Sequence, residues 1–292
     1  MESLQAVAAN LPHGEKYSNL SPEEAADMLL KAKVESTNKL PGSLNEKWPS
    51  GRYDCPVCLN RGYVMAIVED EDGEFTAKSI RCECMNTRQS ISRLERSGLK
   101  DVTKLYTFKK FQTDAVWQER VKQTAMDYVK AVMDGEPSWF FIGGQSGCGK
   151  THICSAIAVQ FIKNHMDTRY MIWRDEMREL KAVVNTPEYT EKLDALKRVK
   201  VLYIDDFFKA RRDQYGRVNP TDSDAGIAFE LLNHRYNDRD LLTIISSELT
   251  LEEIADIDEA TAGRIAQKSK GYCLTVAADQ SKNYRLRGVV TL

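Results

Sequence analysis

The sequence predicts an α/β fold, in which a five-stranded parallel sheet packed by helices follows a small cysteine-tied hairpin and a helical N-terminal segment. Three observations carry this. From about Leu105 onward, short apolar runs alternate with helical stretches, the pattern of strands joined by crossover helices. One apolar run ends in a glycine-rich loop that opens directly into an apolar helix. Ahead of it stand two close pairs of cysteines, separated by two short runs of strand character and a turn.

At 292 residues the chain exceeds a usual single domain of about 100 to 200, so one main domain with an appendage is expected. The expected divisions are a helical segment over 1–50, a metal-binding module and linker over 51–100, and the main domain over 101–292. With 42% hydrophobic and 29% charged residues, the chain has enough apolar material for a sizeable core. No apolar run approaches the roughly 20 residues of a membrane span, and the first residues lack the basic start and apolar stretch of a signal peptide. A cytoplasmic protein without membrane contact is expected. A net charge of −2 gives no global attraction for nucleic acid, so any such contact must come from a local basic patch.

Taken in order, Ser21-Pro22-Glu23-Glu24 opens a helix, with Ser21 as the N-cap and acids in the first turn. Ala25, Met28, Leu29 and Ala32 then recur at helical spacing, a stripe that packs on its own chain or docks a partner. Pro41-Gly42 and Pro49-Ser50-Gly51 punctuate the connection from this helix to the cysteines.

Cys55 and Cys58 are followed, after 23 residues, by Cys82 and Cys84. A Cys-x2-Cys turn lets two thiolates converge on one ion, and a Cys-x-Cys pair completes a four-sulfur tetrahedron. Residues 62–68 and 75–80 read as two strands joined by an acidic turn over 69–73, giving a zinc-ribbon-like hairpin. About 30 residues bury too little surface to fold unaided, which favours zinc over a redox dithiol or unliganded thiols. Cys148, Cys154 and Cys273 have no partner by spacing and read as packing residues.

Five strands are expected at 139–142, 169–173, 199–204, 241–246 and 273–277, separated by helices that include 151–164, 175–184 and 225–236. The first strand runs into Gly144, Gln145, Ser146, Gly147, Cys148, Gly149, Lys150 and Thr151, a full P-loop, with His152 next in the helix. Its glycines turn backbone N–H groups inward to cradle phosphates, Lys150 reaches the β- and γ-phosphates of ATP, and Thr151 ligates Mg2+. About 50 residues later an apolar strand ends in Asp205 and Asp206, as a Walker B strand does. Asp205 would hold Mg2+ and Asp206 would polarise the attacking water.

Together the P-loop, the Ile204-Asp205-Asp206 strand end, the Arg235-Tyr236 helix end, the 243–248 strand and Asn283-Tyr284-Arg285 resemble the DnaC/DnaI-type replicative helicase loaders and their IstB-like relatives. The resemblance covers roughly residues 105–288 and implies a P-loop AAA+ domain that hydrolyses ATP. It also implies a phosphate sensor within Ser246, Ser247 and Glu248, where Glu248 departs from the family's usual asparagine. Arg285 would be a second sensor, and a residue of a neighbouring subunit would complete the site. The corresponding position holds Lys268, with Arg264 one turn earlier, and a lysine cannot reproduce the guanidinium fork.

Loaders place a hexameric replicative helicase on single-stranded DNA while self-associating through the AAA+ domain, so a basic and aromatic DNA surface is expected. Lys209, Arg211, Arg212, Tyr215 and Arg217 supply one directly after the Walker B strand, with the helical insert over 175–196 as the alternative. The competing functions are an IstB-like transposition regulator and a zinc-dependent adaptor that holds ATP only structurally.

Overall fold

The computed structural model describes residues 21–71, 73–96, 105–209 and 220–286. The chain divides into two units, Met1–Arg88 and Gln89–Leu292. Arg211, Arg212, Tyr215 and Arg217 lie outside the described residues.

In the first unit, helix α1 (Pro22–Lys39) begins with the expected capping box, in which Ser21 and Glu24 bond reciprocally to each other's backbone. A short turn, α2 (Leu44–Lys47), leads to an antiparallel hairpin of β1 (Tyr63–Glu69) and β2 (Phe75–Arg81), registered Tyr63↔Arg81 through Glu69↔Phe75. Asn38 locks α1 to the hairpin: its Nδ2 donates to the Met65 carbonyl at 2.8 Å and its Oδ1 accepts from the Met65 amide at 2.9 Å. The helix turns Leu29, Leu30 and Val34 partly inward, while Met28 and Ala32 of the expected stripe face solvent. Ala25 and Leu29 of the expected stripe are thus half-buried as expected, and the other two are not. Helix α3 (Cys84–Arg96) comes next, and its buried Arg88 donates to Asn45, Asn60 and the carbonyl of Gly51, fixing the segment around the first cysteine pair.

The second unit holds the expected parallel sheet in the order β4-β5-β6-β3-β7. Its strands are β3 (Phe140–Gly144), β4 (Thr168–Ile172), β5 (Val201–Asp205), β6 (Leu242–Ser246) and β7 (Cys273–Val276). Each falls within two residues of its expectation; Trp173, expected to end a strand, instead starts a helix. The connecting helices are α4 (Val116–Met133), α5 (Lys150–Lys163), α6 (Trp173–Ala182), α7 (Pro187–Arg198), α8 (Asp222–Asn237), α9 (Leu251–Ile257) and α10 (Glu259–Lys268).

β3, β5 and β6 are buried along their whole length, as strands covered on both faces must be. Helix α5 is apolar nearly all round, with Ile153, Ala156, Ile157, Val159, Phe161 and Ile162 buried, which places it inside rather than on the surface. Arg235 is also fully buried, where its guanidinium bonds to Thr243 and to the carbonyls of Leu196, Lys197, Val199 and Leu242. It closes the C-terminal end of α7 onto the sheet, and burial pulls its pKa down to about 9.

Candidate functional site

β3 delivers the P-loop to the carboxyl end of the sheet, between β6 and β7. Gly144 has φ +100°, and a Cβ there would lie 2.2 Å from the Val276 carbonyl oxygen, so only glycine passes β7 at this spacing. Gly149 caps α5 with φ +95°. Lys150 Nζ donates to the carbonyls of Gly144 at 2.8 Å and Gln145 at 2.6 Å, which closes the loop into a ring around the ammonium. Burial pulls its pKa down, a cost that an arriving phosphate offsets. Cys148 is buried in the same loop, with its thiol pushed up by burial.

The strand order puts β6 between the P-loop strand and β5, so three strand ends meet at one place. Asp205 is nearly buried there and receives Thr151 Oγ1 on Oδ1 at 3.2 Å and Tyr170 OH on Oδ2 at 3.0 Å, while Ser246 Oγ also donates to Oδ1. Burial pushes the Asp205 carboxyl up, the Ser246 hydrogen bond pulls it down, and Asp206 pushes it up again. Three hydroxyls on one carboxylate hold it in place beside Thr151, a hydroxyl–carboxylate pair of the kind that ligates Mg2+. Asp206 takes φ +56°, uncommon for a non-glycine residue, and its Oδ2 accepts from Lys209 Nζ at 2.9 Å. Lys209, expected on DNA, thus has its ammonium turned into this cleft. It also pairs with Glu248 at 3.3 Å, and Glu248 Oε1 accepts from the P-loop hydroxyl of Ser146 at 2.9 Å.

Of the three candidate sensors, Ser246 touches Asp205 and Glu248 touches the P-loop. Ser247 is a correction: it is fully buried, its hydroxyl donating to the Phe207 carbonyl at 2.7 Å and accepting from the Leu249 amide at 3.0 Å. Alternation along an extended chain sends its neighbours to one side and Ser247 to the other.

His152 lies one residue past the P-loop threonine. Its ring meets those of Tyr106 and Phe111 edge-on at 5.4 Å each, and its Nε2 lies 3.1 Å from the Thr107 carbonyl oxygen. A Cβ on Gly149 would come within 3.1 Å of the Phe111 ring, so this aromatic segment covers the start of α5. Sequence reasoning missed Tyr106, Phe111 and Tyr170; the first two precede the P-loop strand by about 30 residues with helix α4 between, so no local signal tied them to the loop. At the other end of the chain, the Tyr284 amide donates to the Gly147 carbonyl at 3.0 Å, and a Cβ on Gly147 would overlap Asn283 Oδ1 at 1.9 Å. This contact brings the segment carrying the exposed Arg285 onto the P-loop.

Arg264 and Lys268 stand apart from these groups. Arg264 bonds to Asn233 Oδ1 at 2.9 Å and lies over the Phe229 and Tyr236 rings at 4.6 and 5.6 Å. Lys268 lies 5.4 Å from the Tyr236 ring, and burial pulls its pKa down. Both therefore pack against α8.

In the first unit the Sγ atoms of Cys55, Cys58, Cys82 and Cys84 all lie within 4.8 Å of one another, and all four residues are buried. The Cys55–Cys82 and Cys58–Cys84 sulfur separations are 3.8 and 3.5 Å. Sulfurs bound to one tetrahedral zinc at about 2.3 Å lie about 3.8 Å apart, so the cluster has the size of that ion and not of a disulfide. The Gly62 amide donates to Cys58 Sγ at 3.3 Å and the Cys58 amide to Cys55 Sγ at 3.5 Å, bonds that fix both sulfurs in the turn. Leu59, Asn60 and Gly62 take positive φ to form this turn, and Asn60 Oδ1 accepts from the Cys55 amide at 2.9 Å.

Residues 82–286 match the family of IstB-like ATP binding proteins. YqaM, an uncharacterised protein of Bacillus subtilis (strain 168), is 31% identical over 277 residues, which cover 80% of this chain and 86% of YqaM. XkdC, a protein of the phage-like element PBSX in the same organism, is 30% identical over 249 residues, covering 82% of this chain and 89% of XkdC. Among solved structures, the DnaC helicase loader aligns with 61% of this chain and 99% of its own at 18% identity and a TM-score of 0.48. With its P-loop, its Thr151–Asp205 pair and a family match over most of its length, the chain belongs to the IstB-like ATP binding proteins.

Proposed function

We propose that the protein is an ATP-hydrolysing switch that self-associates through its AAA+ domain and loads a hexameric replicative helicase onto single-stranded DNA in the cytoplasm. The observation that supports it most is the meeting of Lys150, Thr151, Asp205 and Asp206 at one end of the sheet, with Lys209 paired to the last of them. No described helix is long and apolar enough to cross a membrane.

In this reading Lys150 and the P-loop amides bind the β- and γ-phosphates, and Asp206 polarises the attacking water. Thr151 and Asp205 would hold Mg2+, which would supply positive charge to the bound phosphates. Arg285 reaches the nucleotide in cis. Arg264 or Lys268, held against α8, reaches the nucleotide of a neighbouring subunit. Zinc at Cys55, Cys58, Cys82 and Cys84 shapes the unit that meets the helicase.

Multiple-turnover phosphate release tests the enzyme reading. Asp206→Asn is expected to keep ATP binding and to lower kcat by about 100-fold, the usual worth of a general base. A parent protein with no turnover, alone or with DNA, would instead support the adaptor that holds ATP structurally. Capture of a transposase rather than a hexameric helicase from the host lysate would support the transposition regulator.

The DNA reading rests on the loop after the Walker B strand. Tyr215→Ala is expected to weaken single-stranded DNA binding by about 5- to 100-fold with an unchanged salt slope, since one stacked base contributes about 1 to 3 kcal/mol. Arg211→Ala with Arg212→Ala should flatten the slope by about 0.7 per lost phosphate contact. Fluorescence anisotropy at several salt concentrations measures both. Parent-like binding by both variants would move the DNA to α6 and α7.

A further inference from the structure

The turn after β5 carries an arrangement that ATP hydrolysis by Asp206 alone does not require. Asp206 and Phe208 both take positive φ, +56° and +55°. Beneath them the Phe207 amide donates to the Ser246 carbonyl at 2.9 Å, the fully buried rings of Phe207 and Phe208 stack at 4.2 Å, and both meet Trp173 edge-on. The backbone up to Lys209 is thus anchored in the core, and its side chain starts from a fixed point. From there the ammonium reaches Asp206 Oδ2 at 2.9 Å and Glu248 Oε1 at 3.3 Å. Since Glu248 Oε1 also accepts from Ser146 Oγ at 2.9 Å, a continuous polar chain joins the P-loop to the end of β5 through Ser146, Glu248, Lys209 and Asp206.

The charges around this chain do not balance. Lys150 and Lys209 face Asp205, Asp206 and Glu248, so two cations meet three carboxylates before any nucleotide arrives. The Mg2+ that Thr151 and Asp205 would hold enters with the nucleotide and offsets phosphate charge on the Asp205 side, away from Glu248. A terminal phosphate carries close to two further negative charges. On the β5 and β6 side of the P-loop it would meet the anion Glu248 and two donors, Ser146 Oγ and Lys209 Nζ, that Glu248 now occupies. Like charge would expel the carboxylate, and the phosphate would inherit its donors. The Lys209 and Glu248 side chains are 39% and 30% exposed, so their ion pair is cheap to exchange for a stronger one. A diphosphate stops one phosphoryl group short and leaves the pair intact.

We propose that Lys209 reads the γ-phosphate, with Glu248 as its counter-ion while that position is empty, so that this pair makes the site select nucleoside triphosphate over diphosphate. The proposal rests on the P-loop being an ATP site and assigns its selectivity to two residues. It gives Glu248 a function in place of the usual polar sensor: it neutralises Lys209 in the empty site and yields the ammonium to the phosphate once ATP enters.

The test is equilibrium binding of a non-hydrolysable ATP analogue and of ADP, each with Mg2+, by isothermal titration calorimetry. Lys209→Ala is expected to raise the Kd of the triphosphate analogue by about 10- to 100-fold, the loss of one charge-assisted bond, and to change the Kd of ADP by less than about twofold. Glu248→Gln removes the repelling charge and is expected to tighten the analogue by about 3- to 10-fold without affecting ADP. Lys209→Arg keeps the charge and should hold the parent's ratio to within about threefold. ADP binding doubles as the check that each variant is folded. A triphosphate-to-diphosphate ratio unchanged in both Lys209→Ala and Glu248→Gln would overturn the proposal, as would equal losses for both nucleotides, which would make Lys209 a support of the turn. If the parent bound neither nucleotide, the ATP-site reading itself would fall, a result distinguishable from either of these.

Discussion

Lys150→Ala is expected to abolish productive ATP binding, raising its Kd by more than about 100-fold and removing turnover with it. The ammonium is nearly buried, and its partners without nucleotide are two carbonyls of its own loop, Gly144 and Gln145. Those bonds hold the loop in a ring, and the same charge would hold the β- and γ-phosphates when they enter it. Alanine removes both the attraction for phosphate and the strut that keeps the ring open. No other described cation lies in the loop itself: Lys209 reaches the site from β5 and is already bridging Asp206 and Glu248. Calorimetric titration with ATP and a phosphate-release assay measure the two losses. Unchanged turnover in this variant would end the assignment of the P-loop as the ATP site.

The other large effect is expected from the cysteine cluster. Freshly purified protein should carry one zinc per chain, and Cys82→Ser with Cys84→Ser should lose it and unfold the hairpin unit. The physical reason lies in what that unit has for a core. Among the described residues its buried hydrophobic cluster consists of the four cysteines, with the partly buried Tyr53 and Val64 packed against them, and β1 and β2 leave their side chains partly or fully exposed. A structural zinc contributes about 10 to 16 kcal/mol, more than a unit this thinly packed gains from apolar burial. The second unit has its own large core, including Trp139, Phe141, Leu202, Ile204, Leu231 and Ile245, and should keep its cooperative melting transition. Elemental analysis gives the metal content, and circular dichroism with limited proteolysis locates the unfolding. Full metal retention in the double variant, or purified protein free of zinc, would remove this account.

Much of the fold was legible because its signals are local. All five strands were placed, since apolar runs of four to six residues bounded by helical periodicity need no knowledge of their neighbours. The P-loop, the Asp205-Asp206 strand end and the two cysteine pairs were legible for a related reason: ring closure around a phosphate or an ion fixes spacing along the chain. Less was legible where the answer depended on rotation about an axis. Helix α1 was expected with the right cap, yet of its expected inward residues Ala25 and Leu29 are half-buried while Met28 and Ala32 face solvent. The bonds that tie Asn38 to Met65 could not be read from the helix alone. The resemblance to helicase loaders narrowed the sensor to three residues but could not choose among them.

The sequence by itself determined which segments are strands, where the P-loop, the Asp205-Asp206 strand end and the four close cysteines stand, and that a small cysteine unit precedes an ATP-binding domain. Only the tertiary structure decided how those segments are ordered. Placing β6 between β3 and β5 brings Ser246 to Asp205, turns Ser247 into the core, and sets Glu248 against Ser146, 102 positions away in the chain. It also turned Lys209 from an expected DNA contact into a partner of Asp206 and Glu248. Strand adjacency follows from burying all the apolar faces at once, a condition on the whole sheet that no single stretch of sequence expresses.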